Sequence, residues 1–286
     1  MRIVFMGTPE FAVAVLRQVV EDGWDVVAAY TQPDKPKNRG MKLVPTPVKE
    51  YALSVSIPVY QPQSCRDEAT LDQLRALEPD VILVAAYGKL LPQYRGAAPI
   101  NWAVLNGDKE TGVTIQYMAA ELDAGDILLA ERTPIGDDED AGQLYDRLAT
   151  LGGKAASEAL HRLENGTATR TPQVYGPQYQ YASLLSREMS PIDWNKNARS
   201  IVNQVRGLIP WPCATTEVSG MRWKVYRAEE AGAVNCDAPG KILSADKKGI
   251  VVAAGEGTSV RITELQADGG RRMSAGDYLR GHPIQL

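Results

Sequence analysis

The sequence predicts an α/β fold: a doubly wound parallel sheet covered by helices, followed by a smaller unit of short antiparallel strands closed as a β-barrel. Three observations carry this. Through about the first 90 residues, short β-branched runs alternate with helical patterns, as βαβ units require. In roughly the last 75, short alternating runs are separated by turn residues at intervals of about 8 to 12. Between the two halves, a stretch rich in Thr, Pro, Gln and Tyr reads as a connection. A chain of 286 residues, 44% apolar and 23% charged, is long enough for two cores. The expected division is 1–166, a linker over 167–190, and 191–286.

Strands are expected at Arg2 to Met6, Asp25 to Tyr30, Ile57 to Tyr60 and Asp80 to Ala86. Pro9 to Glu21 and Glu68 to Leu77 carry apolar residues at three- and four-residue spacing and predict helices. The first strand ends in Gly7-Thr8-Pro9-Glu10-Phe11, a tight turn whose free amides could hold an anion or simply start a helix. Its single glycine falls short of the G-x-G-x-x-G of dinucleotide sites, so no nucleotide cofactor is expected. Thr31 to Lys49 holds four prolines and five bases, Lys35, Lys37, Arg39, Lys42 and Lys49, with Asp34 as its only acid. It reads as a long irregular loop at the carboxyl end of a strand, suited to phosphates or merely solvated.

Further on, a helix is expected over Gly96 to Leu105 and a strand over Gly112 to Met118. Leu122-Asp123-Ala124-Gly125-Asp126 is a turn feeding an apolar strand, and a long helix runs from Ala141 to Leu163, stopped by Asn165-Gly166. After a helical stretch to Arg206 come the short strands Ala214 to Val218, Arg222 to Ala228, Gly240 to Leu243, Gly249 to Ala253 and Val260 to Leu265.

Three scattered cysteines, Cys65, Cys213 and Cys236, offer no disulfide framework or paired metal ligands, and two histidines are too few for a zinc site of the usual kind. No metal is expected. No apolar run reaches the roughly 18 residues of a membrane span, and the start lacks a leader's apolar stretch, so a cytoplasmic location without a membrane partner is expected. Net charge is −4, which argues against a general nucleic-acid binder. From Glu188 onward, however, 13 Lys and Arg stand against 11 Asp and Glu, which leaves room for an anionic partner there.

Taken together, several stretches resemble the methionyl-tRNA formyltransferases from end to end. They are Ile3 to Ala12, Thr31-Gln32-Pro33-Asp34-Lys35-Pro36, Pro45 to Lys49, Ala86-Tyr87-Gly88 and Tyr94 to Ile100 in the first half of the chain. Gly112-Val113-Thr114, Leu122 to Asp126, Ile192-Asp193-Trp194, Trp211-Pro212 and Gly276 to Leu279 complete the set. The resemblance implies a Rossmann-like formyltransferase domain followed by an OB-like barrel that helps to grip tRNA. It implies transfer of a formyl group from 10-formyltetrahydrofolate to the amino group of methionyl initiator tRNA, without metal or nucleotide.

Such a transfer needs a neutral amine, stabilisation of an oxyanion, and a proton for the departing N10. The family meets this with an Asn, a His two residues later, and the Asp of a Leu-Asp-x-Gly motif. Only the Asp is plainly present, as Asp123. The family's Asn-x-His-x-Ser-Leu-Leu-Pro falls, in register with Leu90-Leu91-Pro92, on Ala85, Tyr87 and Lys89, none of which can do that chemistry. Two Leu-Leu-Pro copies of the family are merged into one, with a strand and its turns of about 20 residues missing. Loss of an interior strand would cost more than the roughly 5–15 kcal/mol that holds a domain folded, which favours a natural molecule that retains the segment over one that lacks it. His161, on the long helix, and His282, near the C-terminus, are not expected to substitute.

The resemblance further implies that Tyr87, Gly88, Lys89, Leu90, Leu91 and Pro92 border the folate. Arg39 is expected at the acceptor-stem end of the tRNA, with Lys35, Lys37 and Lys42 on phosphates, and Lys196, Arg199, Arg206, Arg222 and Lys224 on the second domain. Two other readings remain open: a relative acting on a sugar nucleotide, and a non-catalytic remnant that binds folate or tRNA. A monomer is expected, since no exposed heptad or long apolar patch is evident.

Overall fold

The computed structural model describes residues 1–37, 42–85, 94–121, 123–173, 180–218, 220–235 and 238–284. They form two compact units, one of 1–95, 112–133 and 145–180, the other of 96–111, 134–144 and 181–286.

The first unit opens with β1 (Arg2–Gly7), α1 (Glu10–Glu21) and β2 (Asp25–Tyr30). It continues through β3 (Lys35–Lys37), β4 (Lys42–Val44), α2 (Pro47–Ser54), β5 (Val59–Tyr60), α3 (Glu68–Ala76) and β6 (Val81–Ala85). The parallel sheet has the order β5-β2-β1-β6, with Ile3 opposite Val81 and Gly7 opposite Ala85. Helix α1 buries Phe11, Ala12, Val15, Leu16 and Val19, the spacing that places one helical face against the sheet.

Thr31 to Lys49 is more regular than its composition suggests. β3 and β4 pair antiparallel, Lys35 with Val44 and Lys37 with Lys42, and Pro36 is tolerated because each strand of this ribbon has a free edge. Pro47 takes the first helical position of α2, and the Thr46 hydroxyl caps it by accepting from the Lys49 amide at 3.3 Å. The proline-rich composition thus includes a helix start as well as a turn.

After β7 (Tyr94–Gly96) and α4 (Pro99–Leu105) come β8 (Glu110–Gln116), β9 (Ile127–Pro134) and the long α5 (Ala141–Glu164). The helix expected from Gly96 begins only at Pro99, because Gly96 has φ +122° and proline sets the first turn. β8 and β9 form a separate ribbon, tied at its loop end by the Tyr117 amide donating to the Asp126 carbonyl at 2.9 Å. Gly153 lets α5 close on α1: a Cβ there would lie 2.8 Å from Cβ of Gln18 and 3.1 Å from the Ala14 carbonyl oxygen. The Trp24 indole donates to the Ser157 hydroxyl at 3.0 Å, fixing the same pair of layers.

The second unit contains β10 (Gln180–Ala182) from Tyr181 onward, α6 (Ala198–Gly207), β11 (Ala214–Val218), β12 (Met221–Ala233) and β13 (Ile242–Asp246). β14 (Gly249–Ala253), β15 (Thr258–Ala267), β16 (Met273–Ser274) and α7 (Ala275–Gly281) complete it. Its sheet is antiparallel, in the order β11-β12-β15-β14-β13 with β16 on β15. Trp223, Val225, Ile250, Ile262 and Leu265 form the core beneath Tyr278 of α7. α7 is an element that periodicity did not reveal; the Ser274 hydroxyl caps it by accepting from the Asp277 amide at 3.0 Å. No helix among the described residues is long and apolar enough to cross a membrane.

Candidate functional site

An apolar concavity lies within the first unit, between β6 and β8. It encloses about 550 Å³ and is lined by Val81–Ala85, Val113–Gln116, the turn residues Asp123 and Ala124, and Ala156 and Leu160 of α5. Its size is that of a small-molecule site. Its walls are unusual for a parallel sheet, whose strands are normally covered on both faces. Ile82 and Val84 are each 40% exposed, and among the described residues β6 pairs only with β1. On the facing strand, the Thr114 hydroxyl oxygen is shielded from solvent and has no hydrogen-bond partner among the described residues.

Asp123 sits at the rim of this groove, half-buried, in a left-handed backbone conformation with φ +58°. The turn around it is closed by Gly125, where a Cβ would fall 1.7 Å from the Tyr117 carbonyl oxygen, so no other residue fits. Gln173, buried, holds the turn from outside: its amide nitrogen donates to the carbonyls of Asp123 at 3.3 Å and Gly125 at 2.5 Å and to the Gln116 side chain at 2.8 Å. Nothing in the Thr-Pro-Gln context of Gln173 marks it in the sequence, because its role depends on a contact made across 48 positions.

The turn after β1 is less available to an anion than its free amides suggest. The Phe11 amide already donates to the Tyr145 hydroxyl at 3.0 Å, and the Thr8 hydroxyl accepts from Thr31 and from the Gln32 amide. Gly7 packs tightly there, a Cβ lying 2.6 Å from Cβ of Ala12.

The cationic residues divide into free and engaged groups. Lys35 donates to the Gln32 side chain at 2.8 Å, while Lys49 is tied to Asp34 at 2.6 Å and to Gln61 at 2.7 Å. The Lys49 ammonium, then the Gln61 amide, hold the Asp34 carboxyl below its usual range. Lys37 and Lys42 face each other through backbone pairing in the ribbon. Arg39 and the expected folate-site residues Tyr87, Gly88, Lys89, Leu90, Leu91 and Pro92 lie outside the described residues.

In the second unit, Lys196, Arg222 and Lys224 are exposed and form no ion pair among the described residues, and Arg199 pairs at the surface with Glu230 at 2.9 Å. Arg206 corrects the sequence reading. It is 8% exposed, and its guanidinium donates to the Asn203 side chain and to the carbonyls of Gly136, Asp137 and Glu139. Burial depresses its pKa, and its Nε and Nη1 are turned to these protein oxygens rather than to solvent, which sets it apart from the exposed cations as a phosphate contact.

The described residues contain no group of three or more His, Cys, Asp or Glu able to hold a metal ion. The donor chemistry around the groove is the carboxylates of Glu121 and Asp123, the Thr114 hydroxyl, the Gln116 amide and backbone beside an apolar wall.

The Formyl transferase family matches residues 1–93 and 88–160, and the family described as Formyl transferase, C-terminal domain, matches 184–283. A methionyl-tRNA formyltransferase of Pelotomaculum thermopropionicum is 45% identical, with 99% of this chain and 96% of that protein covered. This chain belongs to the methionyl-tRNA formyltransferase family. Two solved structures at lower identity share the fold. The N-formyltransferase of Helicobacter canadensis, in complex with folinic acid and dTDP-3-aminofucose, is 16% identical with a TM-score of 0.64, covering 91% of this chain and 98% of that one. HypX of Aquifex aeolicus, in complex with tetrahydrofolic acid, is 18% identical with a TM-score of 0.61, covering 98% of this chain and 47% of that one.

The Pelotomaculum alignment spans 307 positions, 21 more than the 286 residues here, so at least 21 of them face no residue of this chain. The two stretches matched by the first family overlap at 88–93, so the single Gly88-Lys89-Leu90-Leu91-Pro92-Gln93 serves as the end of one and the start of the other. The overlapped stretch follows β6 in the chain, which ends at Ala85.

Proposed function

We propose that this chain serves the transfer of a formyl group from 10-formyltetrahydrofolate to the amino group of methionyl initiator tRNA. The observation that carries this reading is the nearly full-length relation to a methionyl-tRNA formyltransferase, with the Leu-Asp-Ala-Gly-Asp turn retained at the groove. In this reading Asp123 is the catalytic carboxylate, held by Gly125 and Gln173 so that its side chain faces the reacting groups. Tyr87, Gly88, Lys89, Leu90, Leu91 and Pro92 border the pterin. Lys35, Lys37, Arg39 and Lys42 meet the acceptor end, and Lys196, Arg199, Arg222 and Lys224 meet phosphates of the tRNA body. Arg206 is withdrawn from that set. Residues 1–166 are the transferase part, 167–190 the linker and 191–286 the tRNA-contacting part of a cytoplasmic monomer.

Single-turnover formyl transfer to methionyl initiator tRNA tests the reading. The 286-residue chain has Ala85, Tyr87 and Lys89 where the family keeps Asn, His and Ser, so it should run at least about 100- to 1,000-fold below the Pelotomaculum relative. Asp123→Asn should lower the residual rate by a further factor of about 10 or more without weakening folate binding. A residual rate indifferent to Asp123→Asn would remove Asp123 from the chemistry.

The same three residues favour a second reading, a binding protein that holds folate or tRNA without transferring the group. Tight tRNA binding with no transfer above the uncatalysed rate would establish it. Faster formylation of an amino-sugar nucleotide than of methionyl-tRNA would redirect the acceptor assignment.

A further inference from the structure

We propose that the Gln116 side chain is a catalytic hydrogen-bond donor in this chain, its carboxamide nitrogen holding the formyl oxygen as that oxygen takes up charge. The inference rests on the formyl transfer proposed above. It gives the oxyanion-binding task to a residue of β8, where the position of the family's Asn holds Ala85.

Attack on a formyl group puts negative charge on its oxygen, so the group that meets it must be a donor and not an anion. Among the described residues that line the groove, Glu121 and Asp123 are carboxylates, and the side chains with a polar hydrogen are Thr114, Gln116 and Tyr117. The Thr114 hydroxyl oxygen is shielded from solvent. The Tyr117 ring lies under the Arg170 guanidinium, whose carbon is 3.8 Å from the ring centroid. Gln116, half-buried near the end of β8, is the donor that the groove presents to a ligand.

Its carboxamide is also oriented. Gln173, 8% exposed, donates to the Gln116 Oε1 at 2.8 Å, which turns the oxygen end toward Gln173 and leaves the nitrogen as the ligand-binding end. That nitrogen carries two hydrogens, so a protein contact through one still leaves the other for the formyl oxygen. The same Gln173 nitrogen donates to the carbonyls of Gly125 at 2.5 Å and Asp123 at 3.3 Å. Two hydrogen bonds therefore tie the Gln116 carboxamide to the backbone of the proposed catalytic carboxylate. The apolar walls of Val84, Val113, Ile115 and Leu160 lower the local dielectric, where a preorganised donor is worth more than in water.

In the reaction, the lone pair of the methionyl amine forms the new bond to the formyl carbon, and the C=O π pair moves onto oxygen, where Gln116 donates to it. When that pair returns, the bond from carbon to N10 breaks and N10 keeps the bonding electrons. The proton given up by the amine passes to N10, carried by the Asp123 carboxylate.

The test uses the 286-residue chain with 10-formyltetrahydrofolate isotope-labelled in its formyl group. It reads the infrared C=O band of the bound donor beside single-turnover transfer to methionyl initiator tRNA. Gln116→Glu keeps an oxygen for Gln173 and removes the N–H donors; Gln116→Met removes them without adding charge. The band should lie at lower frequency in the parent than in either variant, and each variant should transfer about 10- to 100-fold more slowly. For Gln116→Met, affinity for the formyl donor should stay within about threefold of the parent. A band and a rate that both ignore Gln116→Met would overturn the proposal and leave the transferase reading in place. Slower transfer with an unmoved band would overturn it too, since Gln116 would then act only through the structure. A band that Gln116 shifts in a chain without transfer would uphold the contact and count against the transferase reading alone. A parent that binds no formyl donor would overturn both.

Discussion

In the second unit, β11, β12, β15, β14 and β13 follow one another as hydrogen-bonded neighbours, and Trp223, Ile250 and Ile262 beneath them are shut off from solvent. In the first, the described part of the parallel sheet ends at β6 with two of its apolar side chains 40% exposed, and β8 and β9 form a separate ribbon across an apolar groove. Both units are built from sequence of the same quality, with caps, alternation and turn residues in place. The contrast shows that local agreement between sequence and structure does not make a sheet continuous. Continuity depends on a strand's neighbours, and among the described residues β6 has one, β1, where each inner strand of the second unit has two.

Matched substitutions would sharpen that contrast most strongly. Trp223→Ala removes a side chain 1% exposed and packed edge-on to Tyr278 with ring centroids 5.1 Å apart, and should cost the second unit about 3–5 kcal/mol. Ile82→Ala trims a side chain already two-fifths in water and should cost the first unit only about 1 kcal/mol. Urea titrations of the two variants measure both. A loss at Ile82 above about 2 kcal/mol would mean that the outer face of β6 is covered, and the contrast between the units would collapse.

Arg206 offers the next largest effect, and it separates stability from binding inside the second unit. Arg206→Met leaves the carbonyls of Gly136, Asp137 and Glu139 without their donor and should cost about 2–4 kcal/mol. In its folded fraction, tRNA affinity should stay within about twofold of the parent. Lys224→Ala should do the reverse, leaving the melting temperature nearly unchanged while reducing the salt dependence of tRNA binding by about one counterion. A salt dependence altered by Arg206→Met and untouched by Lys224→Ala would restore Arg206 to the tRNA surface.

These cases also show where the sequence is legible. Asp25–Tyr30, Ala214–Val218 and Gly249–Ala253 have the strand bounds that their patterns predict, because alternation and flanking turns are local properties. Thr31 to Lys49 is more regular than its composition predicts, because composition carries no order. The order Thr46-Pro47 is a helix start in its own right, with a capping hydroxyl and a proline at the first turn. Arg206 differs from the other cations by position: it lies one turn after Val202, among the buried residues of α6, which a count of charge does not register. At the candidate site, Asp123 was legible through its motif, whereas Gln173 and the groove arise from contacts between distant elements and leave no local mark.

The smallest effect concerns acid. Each unit has a carboxylate held below its usual range by a cation: Asp34 by the Lys49 ammonium and then Gln61, Glu264 by the Arg272 guanidinium, which reaches it through both Nε at 2.7 Å and an Nη at 2.8 Å. A depressed folded-state pKa contributes stability that is present above the unfolded value, about 4, and lost as pH falls through the folded value. Asp34→Asn and Glu264→Gln should therefore lower the melting temperature slightly at pH 6 and converge with the parent as pH drops below about 3. The Glu264 variant should show the larger gap, because its partner is bidentate and also stacks on Tyr226, with the guanidinium carbon 4.4 Å from the ring centroid. The Asp34 variant should differ in a second way. Freed of its anion, Lys49 joins the other cations of the β3–β4 ribbon, so tRNA affinity at low salt should rise while the second unit's response to acid stays that of the parent. An Asp34→Asn variant with weaker tRNA binding at low salt would show that the ordered Asp34, Lys49 and Gln61 network matters more to that surface than its net charge.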